Sequence, residues 1–136
     1  MKPLALILES ATQYERIENV VSFVAEDESG SFGILPGHAR MMTVLTIGLV
    51  RFRATSQPWE YVAVPGAVLY CHDNELRLCA RRYLRDRDYE RISSALREQL
   101  LAEEQALQEV KQRLHRLEEE MLKRLWMMRR HGGILA

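Results

Sequence analysis

A chain of 136 residues, 47% hydrophobic and 28% charged, has the composition of a folded globular protein. It is long enough for one domain and an appendage, and too short for two full ordinary domains. The formal net charge is zero, which argues against a dedicated nucleic-acid binder, and no run of about 18 apolar residues is present to span a membrane. Glu9 interrupts the N-terminal apolar run before it reaches signal-peptide length, so an intracellular protein without membrane insertion is expected.

Taken in chain order, residues 1–85 read with a period of two. Leu4, Leu6 and Leu8 alternate with Ala5, Ile7 and Glu9, and β-branched or aromatic runs follow at residues 20–26, 44–53, 59–64, 68–71 and 76–79. Turn signals separate them: Glu28-Ser29-Gly30, Pro36-Gly37, Ser56-Gln57-Pro58, Pro65-Gly66 and Asp73-Asn74. Short strands at this spacing predict a β-sandwich or barrel. Within residues 30–48, GSFGILPGHARMMTVLTIG, Gly33, Pro36 and Gly37 are read as turn-forming. Pro36-Gly37 is the centre of an expected type II turn, because Pro presets its own φ and Gly accepts φ > 0. Cys71 and Cys79 flank the Asp73-Asn74 turn. Even with His38 and His72 they do not make the close Cys pair of a zinc site, so free thiols and no metal are expected.

Residues 81–136 read differently. Residues 1–80 hold 6 Lys and Arg against 9 Asp and Glu, whereas residues 81–136 hold 13 against 10, which marks a boundary near Arg81. Residues 88–130 contain neither Gly nor Pro. Asp86, Asp88 and Glu90 open the segment, Lys123, Arg124, Arg129 and Arg130 close it, and Gly132-Gly133 follow: the polarity and stop of a helix. Leu107, Leu114, Met121 and Met128 recur every seven residues, with Val110 and Leu117 between them, as in a heptad seam. Glu103 and the run Leu100-Leu101-Ala102 shift the stripe upstream, so a bend or a change of packing partner is expected near residues 102–106. The predicted fold is therefore α+β, a β-sandwich over residues 1–85 and a helical region over residues 86–136. That region is either one long helix or a helical hairpin. Residues 95–130 offer no Gly, Pro, Asn, Asp or Ser for a hairpin turn.

The stretch Phe32-Gly33-Ile34-Leu35-Pro36-Gly37-His38-Ala39 resembles the Gly-x-Phe/Leu-Gly-Ile/Val-x-Pro-Gly-His-Ala segment of the epsilon subunit of F-type ATP synthases, the delta subunit of the mitochondrial enzyme. Val64-Pro65-Gly66-Ala67 and Leu76-Arg77-Leu78-Cys79-Ala80 extend the likeness, which covers the sandwich well and the helical half only in outline. The resemblance implies a non-catalytic central-stalk subunit on the cytoplasmic face of the bacterial inner membrane. Such a subunit couples c-ring rotation through gamma to the catalytic hexamer, and restraint of ATP hydrolysis by the C-terminal helices is a further expectation. It implies c-ring contacts at Glu28, Ser29, Gly30 and Ser31 and gamma contacts at His38, Ala39 and Arg40. The simpler reading of Gly30, Gly33, Pro36 and Gly37 is that they only turn the chain. Some family members bind regulatory ATP through Ile/Leu-Asp-x-x-Arg-Ala. Here Asp88 and Arg91 match while Arg87 and Ile92 do not, and Asp88 is more simply a helix N-cap. Otherwise no cofactor is implied. Ser31, Ala67 and the lack of a polar turn in the helical half depart from the family pattern and point to a divergent, alternate branch.

An independent enzyme is not indicated: there is no phosphate-binding Gly-x-x-x-x-Gly-Lys-Ser/Thr loop and no nucleophile elbow. The alternative is a β-domain adaptor that dimerises through a C-terminal coiled coil along the Leu107–Met128 seam.

Overall fold

A computed structural model describes residues 2–130. It contains nine strands followed by helix: β1 (Leu4–Glu9), β2 (Tyr14–Asp27), β3 (Gly30–Ile34), β4 (Met41–Leu45), β5 (Gly48–Ala54), β6 (Glu60–Val64), β7 (Ala67–His72), β8 (Glu75–Cys79), β9 (Leu84–Asp86), α1 (Tyr89–Ala95) and α2 (Ala102–Arg130), the helices being joined by a π-helical stretch, Leu96–Leu101. By compactness the chain divides into two units, residues 1–101 and 102–136.

The first unit is a sandwich held together by β2, which takes part in both layers. Its first half pairs antiparallel with β1, Ile17 opposite Leu6, and its second half pairs with β3 and β5, Phe23 opposite Ile34 and Phe52. Both ladders slip in register near the midpoint, the β1 ladder between Ile17 and Val20, where Asn19 takes φ +61°, and the β5 ladder between Val20 and Ser22. A bulge there bends the strand and lets it change layer. Around it β1 pairs parallel with β8, β8 with β7, β7 with β4, β5 with β6, and β6 with β9. The core between the layers is built from alternate residues, among them Phe23, Ile34, Phe52, Val62, Leu69, Leu76 and Leu78, all essentially inaccessible.

Several expectations from the sequence are corrected. Gly33 is not a turn residue: it lies inside β3 opposite Val24, with a backbone open enough that a Cβ would meet only the Phe23 carbonyl at 3.7 Å. The run 44–53 is two strands, broken at Thr46–Ile47 so that β4 joins β7 while β5 joins β2. β1 does not alternate, because Leu4 to Leu8 are all buried. It is a central strand, and Ile7 sits in register between Arg16 and Arg77, whose aliphatic stems flank it on the same face.

The boundary expected between residues 85 and 86 falls inside β9, and the compact unit runs on to Leu101. The reason is a second, small core: Ile92 and Leu100 bury against Ala63 of β6, with Leu96 packed alongside. Those helical residues are four apart. The wide π turn keeps such residues more nearly on one face than a 3.6-residue turn does. Helical backbone is continuous from Tyr89 to Arg130, which settles the choice between helix and hairpin in favour of one helix. The second unit holds α2, in which no residue is buried and the apolar stripe is open, Leu114 being 55% exposed.

Candidate partner-binding surface

The residues expected to meet partners lie at the two ends of β4. At one end is the β2–β3 turn. Asp27 organises it: one carboxylate oxygen accepts from the Ser29 backbone N–H at 2.9 Å and from the Ser29 hydroxyl, and the other accepts from Thr43 Oγ1 of β4 at 2.9 Å. These bonds, Ser29 first and Thr43 next, hold the Asp27 carboxyl below its ordinary pKa. Gly30 closes the turn at φ +118°. Glu28, Ser29, Gly30 and Ser31 thus form a short turn tied to β4, with Gly30 and Ser31 already in β3 opposite Asp27 and Glu26.

At the other end is the Pro36-Gly37 turn. Gly37 sits at φ +82° and the His38 N–H donates to the Leu35 carbonyl at 3.2 Å, the geometry of a type II turn. The Gly37 N–H donates to Asn74 Oδ1 at 2.6 Å, and Asn74 Nδ2 donates to the Lys2 carbonyl at 3.4 Å. Asn74 belongs to the β7–β8 turn, where Asp73 and Asn74 both have positive φ. His38, Ala39 and Arg40 therefore line an open groove against Asp73 and Asn74, and Arg40 lies over the Tyr70 ring at 5.8 Å.

Between the ends, β4 turns Met42 and Val44 outward, each 66% exposed. Their cross-strand partners on β7 are Tyr70 and Val68. The exposed apolar pair Met42 and Val44, about 7 Å apart at 3.4 Å per residue, thus lies between the two predicted contact regions. The pair was missed from the sequence, although β4 reads MMTVL, apolar on both faces, which is the available signal.

Asp88 and Arg91 are not brought into this surface. Asp88 caps α1, its carboxylate accepting from the backbone N–H groups of Glu90 and Arg91 at 3.0 and 3.3 Å. Arg91 forks onto both oxygens of Asp86, Nη2 at 2.8 Å, and the guanidinium holds Asp86 well below the usual carboxylate range. Beside them Arg85 and Arg87 bind the two oxygens of Glu60 at 2.8 and 2.7 Å. Both candidate nucleotide contacts are engaged with the protein itself. Cys71 is buried in β7 and Cys79 exposed in β8, both free, and no metal-binding group of His, Cys, Asp and Glu gathers among the described residues.

Residues 5–86 match the family profile described as the ATP synthase, Delta/Epsilon chain, beta-sandwich domain. The chain is 37% identical over 105 residues to "ATP synthase epsilon chain 2" of Cereibacter sphaeroides, a span of 76% of this chain and 67% of that one. It is 52% identical over 50 residues to "ATP synthase epsilon chain 2" of Paraburkholderia xenovorans, where the span is only 37% of this chain and 36% of that one. Among solved structures it resembles a chain of the Euglena gracilis mitochondrial ATP synthase at TM-score 0.58 and 17% identity, covering 72% of this chain and 64% of that one. A chain of the Tetrahymena thermophila mitochondrial ATP synthase central stalk and c-ring structure superposes at TM-score 0.52 and 16% identity, covering 62% and 69%. At those identities the two structures speak for the fold alone.

Proposed function

The chain belongs to the ATP synthase delta/epsilon family, and from that premise we propose that it is the epsilon subunit of an F-type ATP synthase, a non-catalytic part of the central stalk. In this reading it links c-ring rotation through gamma to the catalytic hexamer. It sits at the cytoplasmic face of the bacterial inner membrane as a peripheral subunit; no helix among the described residues is long and apolar enough to cross a membrane. One observation carries the reading: the exposed Met42 and Val44 stripe, flanked by His38, Ala39 and Arg40, is an apolar patch on a sheet whose other face is core. A patch of that kind is suited to gamma, and the Glu28–Ser31 turn at the far end of β4 is suited to the polar loops of the c ring. Asp88 and Arg91 act structurally in this reading, as cap and ion pair. The test is co-purification with gamma. Val44→Lys should leave the sandwich folded, because the side chain is exposed, and should lower gamma capture by about tenfold. Capture equal to that of the parent removes the stripe from the gamma interface.

A further inference from the structure

α2 presents an open seam and, on either side of it, a charge pattern that matches itself. The structure makes residues 102–130 one uninterrupted helix, so heptad positions can be assigned throughout: Leu107, Leu114, Met121 and Met128 at a, Val110 and Leu117 at d, with the charged Glu103 and Arg124 at the outer d positions. Leu107 to Met121 along this seam are 40–62% exposed, and none of the described residues of this unit covers them. The central flanking positions are Lys111 and Glu118 at e, and Arg113 and Glu120 at g; the outer ones are Glu104 and Leu125 at e, and Ala106 and Met127 at g.

We propose that α2 pairs with α2 of a second copy of this chain as an antiparallel two-helix coil centred between His115 and Arg116. In an antiparallel pair, e faces e and g faces g. With Leu114 packed on Leu117 of the second copy, Lys111 meets Glu118 and Arg113 meets Glu120, and the two-fold axis repeats each contact. Four opposite-charge contacts result, with none between like charges. A slip of one heptad in one direction sets Lys111 on Lys111 and Arg113 on Arg113. A slip in the other direction sets Glu118 on Glu118 and Glu120 on Glu120. The charges thus select one register, and in that register Ala102 lies opposite Arg129, so the helices overlap end to end. A parallel pair keeps only Arg113 against Glu118, because the next g position, Glu120, faces Leu125. Antiparallel pairing also sets the two helix dipoles in opposition. The second copy occupies the seam when no gamma subunit covers it, so this inference does not depend on the stalk assignment.

Sedimentation of the purified full chain tests it, in reductant so that the exposed Cys79 cannot cross-link. The expected result is a concentration-dependent dimer that Leu114→Asp abolishes while the sandwich stays folded by near-ultraviolet circular dichroism. Arg113→Glu should weaken the dimer about fivefold or more, since two attractive contacts become repulsive. Adding Glu120→Arg should restore parental affinity. In a parallel pair the second change restores nothing, because residue 120 faces Leu125. A chain that stays monomeric at about 0.5 mM, a dimer indifferent to Leu114→Asp, or a charge swap without rescue each overturns the proposal.

Discussion

Glu60 is the single buried charged residue among those described, 8% exposed overall. Burial alone would raise its pKa, but the guanidinium groups of Arg87 and Arg85 outweigh that and hold the carboxyl below its ordinary value. A carboxyl with a lower pKa folded than unfolded stabilises the fold above the unfolded pKa of about 4.3. That stabilisation is lost as pH falls through the folded value. Glu60→Gln should therefore lower stability at neutral pH and flatten the acid limb of the stability curve, measured by urea unfolding between pH 3 and pH 7, a range set by that reference pKa of about 4.3. An unchanged acid slope would show that the pair contributes no proton linkage. Gly37 is the other residue whose identity has an evident cause. At φ +82°, with its N–H committed to Asn74, it occupies backbone that a β-branched side chain resists. Gly37→Val should cost about 1–3 kcal/mol in denaturant unfolding and damage folding before partner binding. A variant as stable as the parent would contradict the turn geometry.

Among the elements, α2 has the clearest consequence for activity. Its open stripe needs a covering partner, and the basic side chains Lys123, Arg124, Arg129 and Arg130 in its last two turns suit acidic surfaces of the catalytic hexamer in the stalk reading. Deleting residues 107–136 should leave the assembled complex intact and raise its ATP hydrolysis, read as turnover per assembled complex. If assembly falls and turnover per complex is unchanged, α2 is a packing support and not a brake. The elements also show where sequence reading reaches. The helix was legible because residues 88–130 lack every breaker, and the shift at Leu100-Leu101-Ala102 coincides with the end of the π-helical stretch. β3 and β9 were not legible. Gly30 and Gly33 masked the first as loop, and the second is three residues, Leu-Arg-Asp, whose strand character comes only from pairing with β6.

For the whole molecule, the orientation of the sandwich in a stalk is the decisive quantity. The β2–β3 turn and the β5–β6 turn leave the sheet at different places, so they offer a paired probe. Ser31→Cys should cross-link to a Cys in the polar loop of the c subunit, while Gln57→Cys should not. Equal yields at both positions would remove the assigned orientation.

The sequence by itself determined the two-part architecture, the order of most strands, the Pro36-Gly37 turn and the helical character of the C-terminal region, while leaving one helix or a hairpin open. Each of these follows from local causes: hydrophobic period, φ restriction, and the presence or absence of breakers. Only the tertiary structure decided the rest. That β2 serves both layers depends on irregularities between Ile17 and Ser22 with no strong local signature. That α1 belongs to the sandwich depends on Ile92 and Leu100 finding Ala63, a contact about 30 residues away along the chain. That the two predicted contact regions lie at the two ends of one strand depends on β4 leaving β5 at Thr46 to pair with β7, which brings Met42 and Val44 out beside Arg40 and Tyr70. Such pairings join distant segments, and no residue's own preference specifies them.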